Sequence, residues 1–187
     1  MPPRSSTASL LPAAGLLPAL LLLAQCQRPD PAPDPPAPTP LELLPPATQT
    51  GARTFGCLVN GQAWTPAGQV FAGPLFTASY RSGNFYLTAN RAILVNGINS
   101  TQRIQIEVDS IDSAGIYKLT NSTSRAAEFA DREKACLCFT NAVHPATVTI
   151  TRLDKVNRIV SGTFAFTVES PACGKVVVTD GRFDAPF

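Results

Sequence analysis

The chain has 187 residues, of which 44% are hydrophobic, 15% charged and 7% aromatic, with a formal charge of +2. So small a charge leaves no basic footprint for nucleic acid, and a single histidine, His144, excludes paired catalytic imidazoles and most histidine-based metal sites. The length fits one domain with an appendage, and composition alone assigns neither a reaction nor a ligand.

Arg4 opens the chain, and Leu10 to Ala24 is an unbroken apolar run, LLPAAGLLPALLLLA. A basic start before roughly 7–15 apolar residues is the layout of a secretory signal peptide. Pro12 and Pro18 inside the run argue against a membrane-spanning helix. The residues that follow, Leu23-Ala24-Gln25-Cys26, resemble the lipobox of bacterial lipoproteins, with Gln25 departing from the small residue usual at its position. The resemblance implies cleavage after residue 25, a lipid on Cys26 and a membrane partner reached through it. Residues 1–25 are thus expected as a signal peptide and 26–53 as a lipidated cysteine with a linker. Residues 29–46 hold nine of the eighteen prolines and predict an extended polyproline stalk of roughly 50 Å. The acid of Gln27-Arg28-Pro29-Asp30 does not decide between the periplasmic and the surface face of an outer membrane.

From residue 54 to 187 the pattern is short β-rich runs broken by turn residues. Thr54–Asn60 and Gln62–Thr65 flank Asn60-Gly61, a hairpin signal. Asn84–Asn90, Gln102–Asp109 and Gly115–Thr120 read as strands. In the second of these, Ile104, Ile106 and Val108 share the buried face. Arg125–Cys138 has helical composition, but its strand neighbours favour a hairpin turning at Arg132–Lys134. Thr147–Leu153, Ile159–Glu169, and Lys175–Thr179 with Arg182–Phe183 around Asp180-Gly181 complete the set. Gly162 inside a strand marks a bulge or a close backbone approach. The expected fold is all-β: an antiparallel sandwich or partly open barrel of about eight to ten strands behind a disordered stalk.

Ile150–Val168, Gly174–Asp184 and Thr54–Pro66 resemble blocks of a group of uncharacterised lipoproteins of Bacteroidetes-type bacteria. The resemblance implies an envelope protein and supplies no catalytic residues.

Beyond Cys26, the even set Cys57, Cys136, Cys138 and Cys173 points to two disulfides in an exported domain. Cys136 and Cys138, two apart on one strand face, are poor partners for each other. That leaves one of them for Cys57 and the other for Cys173; spacing does not choose between the two ways, and the pairing expected here is Cys138–Cys173 with Cys57–Cys136. A four-thiolate zinc site would need wider pairs than C-x-C, so no metal and no cofactor is expected. No catalytic motif is present. Glu107 and Asp109 read as a solvated strand face and Asp154 and Asp180 as turn residues. Trp64, Tyr80, Arg81 and Tyr86 are candidates for a patch facing a glycan or an envelope protein, with Trp64 also suited to the core. Ser110 and Ser113 each follow an aspartate and precede an apolar residue, resembling Bacteroidetes O-glycosylation acceptors. The expectation is a non-enzymatic binding or structural module at the envelope. The alternative is a small polysaccharide hydrolase with a carboxylate pair the motifs do not reveal.

Overall fold

The computed structural model describes residues 36–69, 73–121 and 125–187. The signal segment, Cys26 and the proline-rich residues up to 35 lie outside the described residues. Twelve strands form among those described: β1 (Thr54–Val59), β2 (Gln62–Trp64), β3 (Ala67–Gly68), β4 (Phe76–Arg81), β5 (Asn84–Val95), β6 (Ile98–Val108), β7 (Gly115–Leu119), β8 (Arg125–Asp131), β9 (Cys136–Phe139), β10 (Ala146–Asp154), β11 (Ile159–Ser170) and β12 (Gly174–Pro186). One sheet runs β2-β1-β12-β11-β10-β7, and the other runs β3-β5-β6-β8-β9 with β4 also paired to β5. All pairings are antiparallel except the short parallel contact of β3 with β5. The sheets face each other as an unclosed sandwich, so the expected all-β class stands with two strands more than the upper expectation.

Period-two alternation explains which residues face inward. Phe85, Leu87 and Ala89 on β5 pair with Val108, Ile106 and Ile104 on β6, and all six are buried. The facing sheet contributes Val148, Ile150, Phe164, Phe166, Val168, Val178 and Phe183. Aromatic rings join the layers: Phe85 stacks on Phe183 at 5.4 Å, and Phe55 meets Phe76 at 5.5 Å. Gly162 sits where no side chain fits. A Cβ there would strike the Thr149 carbonyl and approach Phe183 Cζ to 2.8 Å, which is the close approach its place in a strand implied.

Three segments depart from the expectations. Asp180-Gly181 is no hairpin turn: β12 is one continuous strand with a bulge there, opposite register shifts in both neighbours. β5 and β6 extend to a second Asn-Gly turn, Asn96-Gly97, with φ of 52° and 78°. Residues 37–53 belong to the same compact unit as the sandwich rather than to a stalk. Thr39-Pro40-Leu41-Glu42 closes one turn as a capping box, the Glu42 carboxylate accepting the Thr39 amide at 2.6 Å. Leu44 behind it is buried.

Candidate functional site

The structure disperses the expected aromatic patch. Trp64 is 2% exposed in the core and donates its indole N–H to Gln102 Oε1 at 2.8 Å. Tyr80 pairs with Phe85, and Tyr86 with Ser79, so sheet alternation sends the two tyrosines to opposite faces. Tyr80 packs against the core and Phe187 and donates its hydroxyl to the Ile111 carbonyl at 2.7 Å. Tyr86 is outward and bonds Gln105 Oε1 at 2.9 Å, with Arg81 exposed on the same face. Only Arg81 and Tyr86 share a surface, so the four residues form no joint site. Asp109, two residues beyond Glu107, is paired with Arg125. Ser110 and Ser113 are both exposed in the connection from β6 to β7, and the Ser113 carbonyl accepts the Tyr117 hydroxyl at 2.8 Å.

The cysteines among the described residues divide three to one. Cys57 is a free, fully buried thiol on β1, its pKa pushed up by burial and only partly opposed by Arg91. The expected Cys57–Cys136 bridge is not formed, because Cys57 faces the core from β1 while Cys136 lies on β9 at the edge of the other sheet. Cys136, Cys138 and Cys173 converge, their sulfurs all within 4.8 Å of one another. Cys173, in the β11–β12 turn, faces both of the others, with its Cα 5.0 Å from that of Cys136 and 7.0 Å from that of Cys138. Three soft sulfur ligands in one place are also the donor set a thiophilic metal uses. The C-x-C spacing signalled two same-face sulfurs. Cys173 as their common neighbour was not legible, because the hairpin that carries it belongs to the other sheet.

The densest polar construction centres on Asp184, which sequence reasoning passed over. It lies on the outward face of β12 yet is fully buried, because residues 37–53 cross over it as a strap. Its carboxylate accepts Thr48 Oγ1 at 2.7 Å, the amides of Thr50, Gly51 and Ala52 at 2.8–3.0 Å, and Ser161 Oγ at 2.6 Å. Burial alone would raise its pKa, but the hydrogen bonds from Ser161, Ala52, Thr48 and Gly51 outweigh that and hold it well below the usual carboxylate range. Farther along the strap, the Pro45 carbonyl accepts Arg182 Nη1 at 3.3 Å and the Gln49 carbonyl accepts Arg152. Gly56 makes room for it, since a Cβ there would lie 2.6 Å from Pro45 Cδ.

Where the strap meets the end of the sandwich, a cleft of about 590 Å³ opens. Leu43, Pro45, Phe55, Pro66, Pro74 and Phe76 are among the residues that give it apolar walls, and Arg53, Thr54 and Thr65 supply polar groups. Arg53 follows the Asp184-bound amides directly, is exposed, and has a left-handed backbone with φ of 57°. Among the described residues no carboxylate pairs with it. This volume and this mixture of mostly apolar walls with few polar groups suit a small-molecule site.

A family model described as a domain of unknown function (DUF6252) matches residues 67–185. No curated protein and no solved structure matches the chain.

Proposed function

The chain belongs to the DUF6252 family, and we propose that it is a non-enzymatic binding module, tethered to a bacterial outer membrane through a lipid on Cys26. Its cleft beneath the strap takes an apolar molecule that carries an anionic group. The cleft is the observation that carries this reading: its walls desolvate an apolar body, and the Arg53 guanidinium supplies a counter-charge at a fixed backbone position. The Asp184 cage supports it, because a strap held through four of its own hydrogen-bond donors keeps its share of the wall in place before any ligand arrives. The tether rests on the apolar run Leu10–Ala24 and the lipobox-like Leu23-Ala24-Gln25-Cys26.

The test is calorimetric titration of the purified protein with dodecanoate and, separately, with dodecanol. Dodecanoate is expected to bind at one site, dodecanol more weakly, and Arg53→Glu is expected to abolish the difference. Equal binding of both by the unaltered protein, or binding of neither, would overturn the assignment of the cleft.

A further inference from the structure

We infer that Cys136, Cys138 and Cys173 form a thiol–disulfide exchange site, in which Cys173 passes between two partners on β9 and one thiol is always left over. Cys173 lies within reach of both Cys136 and Cys138, the three sulfurs being within 4.8 Å of one another, and a sulfur that already holds its Cβ forms only one disulfide, so the two pairings are alternatives. They differ in backbone fit. The Cα separation of 5.0 Å to Cys136 lies within the ordinary disulfide range, whereas 7.0 Å to Cys138 lies just beyond it. Cys136–Cys173 is therefore the resting bond, which reverses the expected Cys138–Cys173 pairing.

Cys138 is then the spare thiol, and its surroundings fit that role. Its Sγ lies 3.0 Å from Ser170 Oγ, within hydrogen-bonding distance. The same Ser170 hydroxyl accepts the Cys173 amide at 3.1 Å, so one side chain holds both the spare thiol and the backbone of the cysteine it faces. Cys136 and Cys138 are two residues apart on the inward face of β9, with their sulfurs 4.0 Å from each other. In the exchange the Cys138 thiolate attacks Cys173 Sγ. The new Cys138–Cys173 bond forms as the Cys136–Cys173 bond breaks, and Cys136 leaves as the thiolate, taking up the proton that Cys138 gave to solvent. Two electron pairs move and no oxidant or reductant is consumed. The hairpin tip shifts along β9 toward the second partner. Cys173 lies in that tip, followed by Gly174 in a left-handed conformation with φ of 62°.

Peptide mapping of the full-length protein tests this without any variant. Exchange is stopped with acid, free thiols are alkylated with N-ethylmaleimide under denaturing conditions, and the disulfides are identified by mass spectrometry. Both Cys136–Cys173 and Cys138–Cys173 are expected, with the first in excess. Samples prepared at pH 5 and at pH 8 should differ in ratio and converge after incubation at pH 8. Cys136→Ser and Cys138→Ser should each retain a disulfide to Cys173, and Cys173→Ser should retain none. A single bond whose partner never changes, a bond to Cys57, or three unoxidised thiols holding a metal ion in the purified protein would each overturn the inference.

Discussion

The Asp184 carboxylate on the last strand accepts the Gly51 amide at 2.8 Å, tying a segment far upstream in the chain to the outer face of a sheet. Through this contact and its neighbours a proline-rich lead-in becomes part of the folded unit and a wall of the cleft. Asp184→Asn keeps the shape but removes the charge and turns one acceptor into a donor. A hydrogen bond to a charged group is worth about 1.5–3 kcal/mol, and several are weakened together. The expected loss is about 3 kcal/mol of unfolding free energy in urea titration, with residues 37–53 newly open to protease. A variant with the midpoint and digestion pattern of the unaltered protein would contradict this role.

The same carboxylate makes stability depend on acid. The pKa of Asp184 is held below its ordinary value in the fold, so it binds fewer protons there than in the unfolded chain. Its stabilisation is complete above about pH 5, starts to fade as pH falls through the ordinary aspartate value of about 3.9, and continues to fade below it. Urea midpoints measured from pH 6 down to pH 2.5 are expected to fall, and Asp184→Asn is expected to flatten that slope. Parallel slopes would assign the acid sensitivity to other groups.

Gly56 separates the strap from the sandwich as objects of mutation. A Cβ at this position meets Pro45 Cδ at 2.6 Å and Leu44 Cδ2 at 3.4 Å, both on the strap. Gly56→Val should lift the strap while leaving the inward residues of β1 in place. Limited proteolysis is expected to cut within 37–53 while β-sheet circular dichroism is retained, and dodecanoate binding is expected to weaken.

Gly162 offers the contrasting case, because its obstacles are the Thr149 carbonyl and the ring of Phe183 inside the sandwich. Overpacking of this kind costs about 1–3 kcal/mol and more when backbone must move. Gly162→Ala is expected to lie at or above the upper end, read as a lowered melting temperature, with no selective exposure of the strap.

The cysteines give a prediction that needs no mutation. Burial suppresses ionisation of the Cys57 thiol, so the reactive thiolate is scarce even in mild alkali. Iodoacetamide at pH 8.5 should leave Cys57 unmodified in the folded protein and alkylate it once urea unfolds the chain. Rapid alkylation of folded protein would contradict its burial.

Local signals made most of the sandwich legible. Asn60-Gly61 announced its hairpin because both residues accept positive φ, and Ile104, Ile106 and Val108 alternated cleanly. The hairpin of β8 and β9 was readable against its helical composition because its neighbours were strands. Asn96-Gly97 carried the same turn signal, but the polar Asn99-Ser100-Thr101 beyond it concealed how far β6 extends. Asp180-Gly181 misled in the opposite direction, since a bulge and a turn draw on the same residue types. The strap was illegible for a different reason. Proline density reports what a segment cannot form by itself, whereas the docking of Leu44 and Thr48–Ala52 depends on Gly56 and Asp184 elsewhere in the chain. The candidate site shared that fate: Arg53 and the cleft walls come from segments that no spacing rule connects. The aromatic patch failed because neighbouring strand positions, though close in sequence, face opposite ways.

In the role proposed for it, the domain works while held at a membrane through Cys26. The most direct measurement is the intact mass of protein extracted in detergent from the native membrane fraction. The expected result is a polypeptide beginning at residue 26 with acyl chains on Cys26. A polypeptide beginning elsewhere without lipid, recovered from the soluble fraction, would contradict the tether and make the strap the true start of the functional protein.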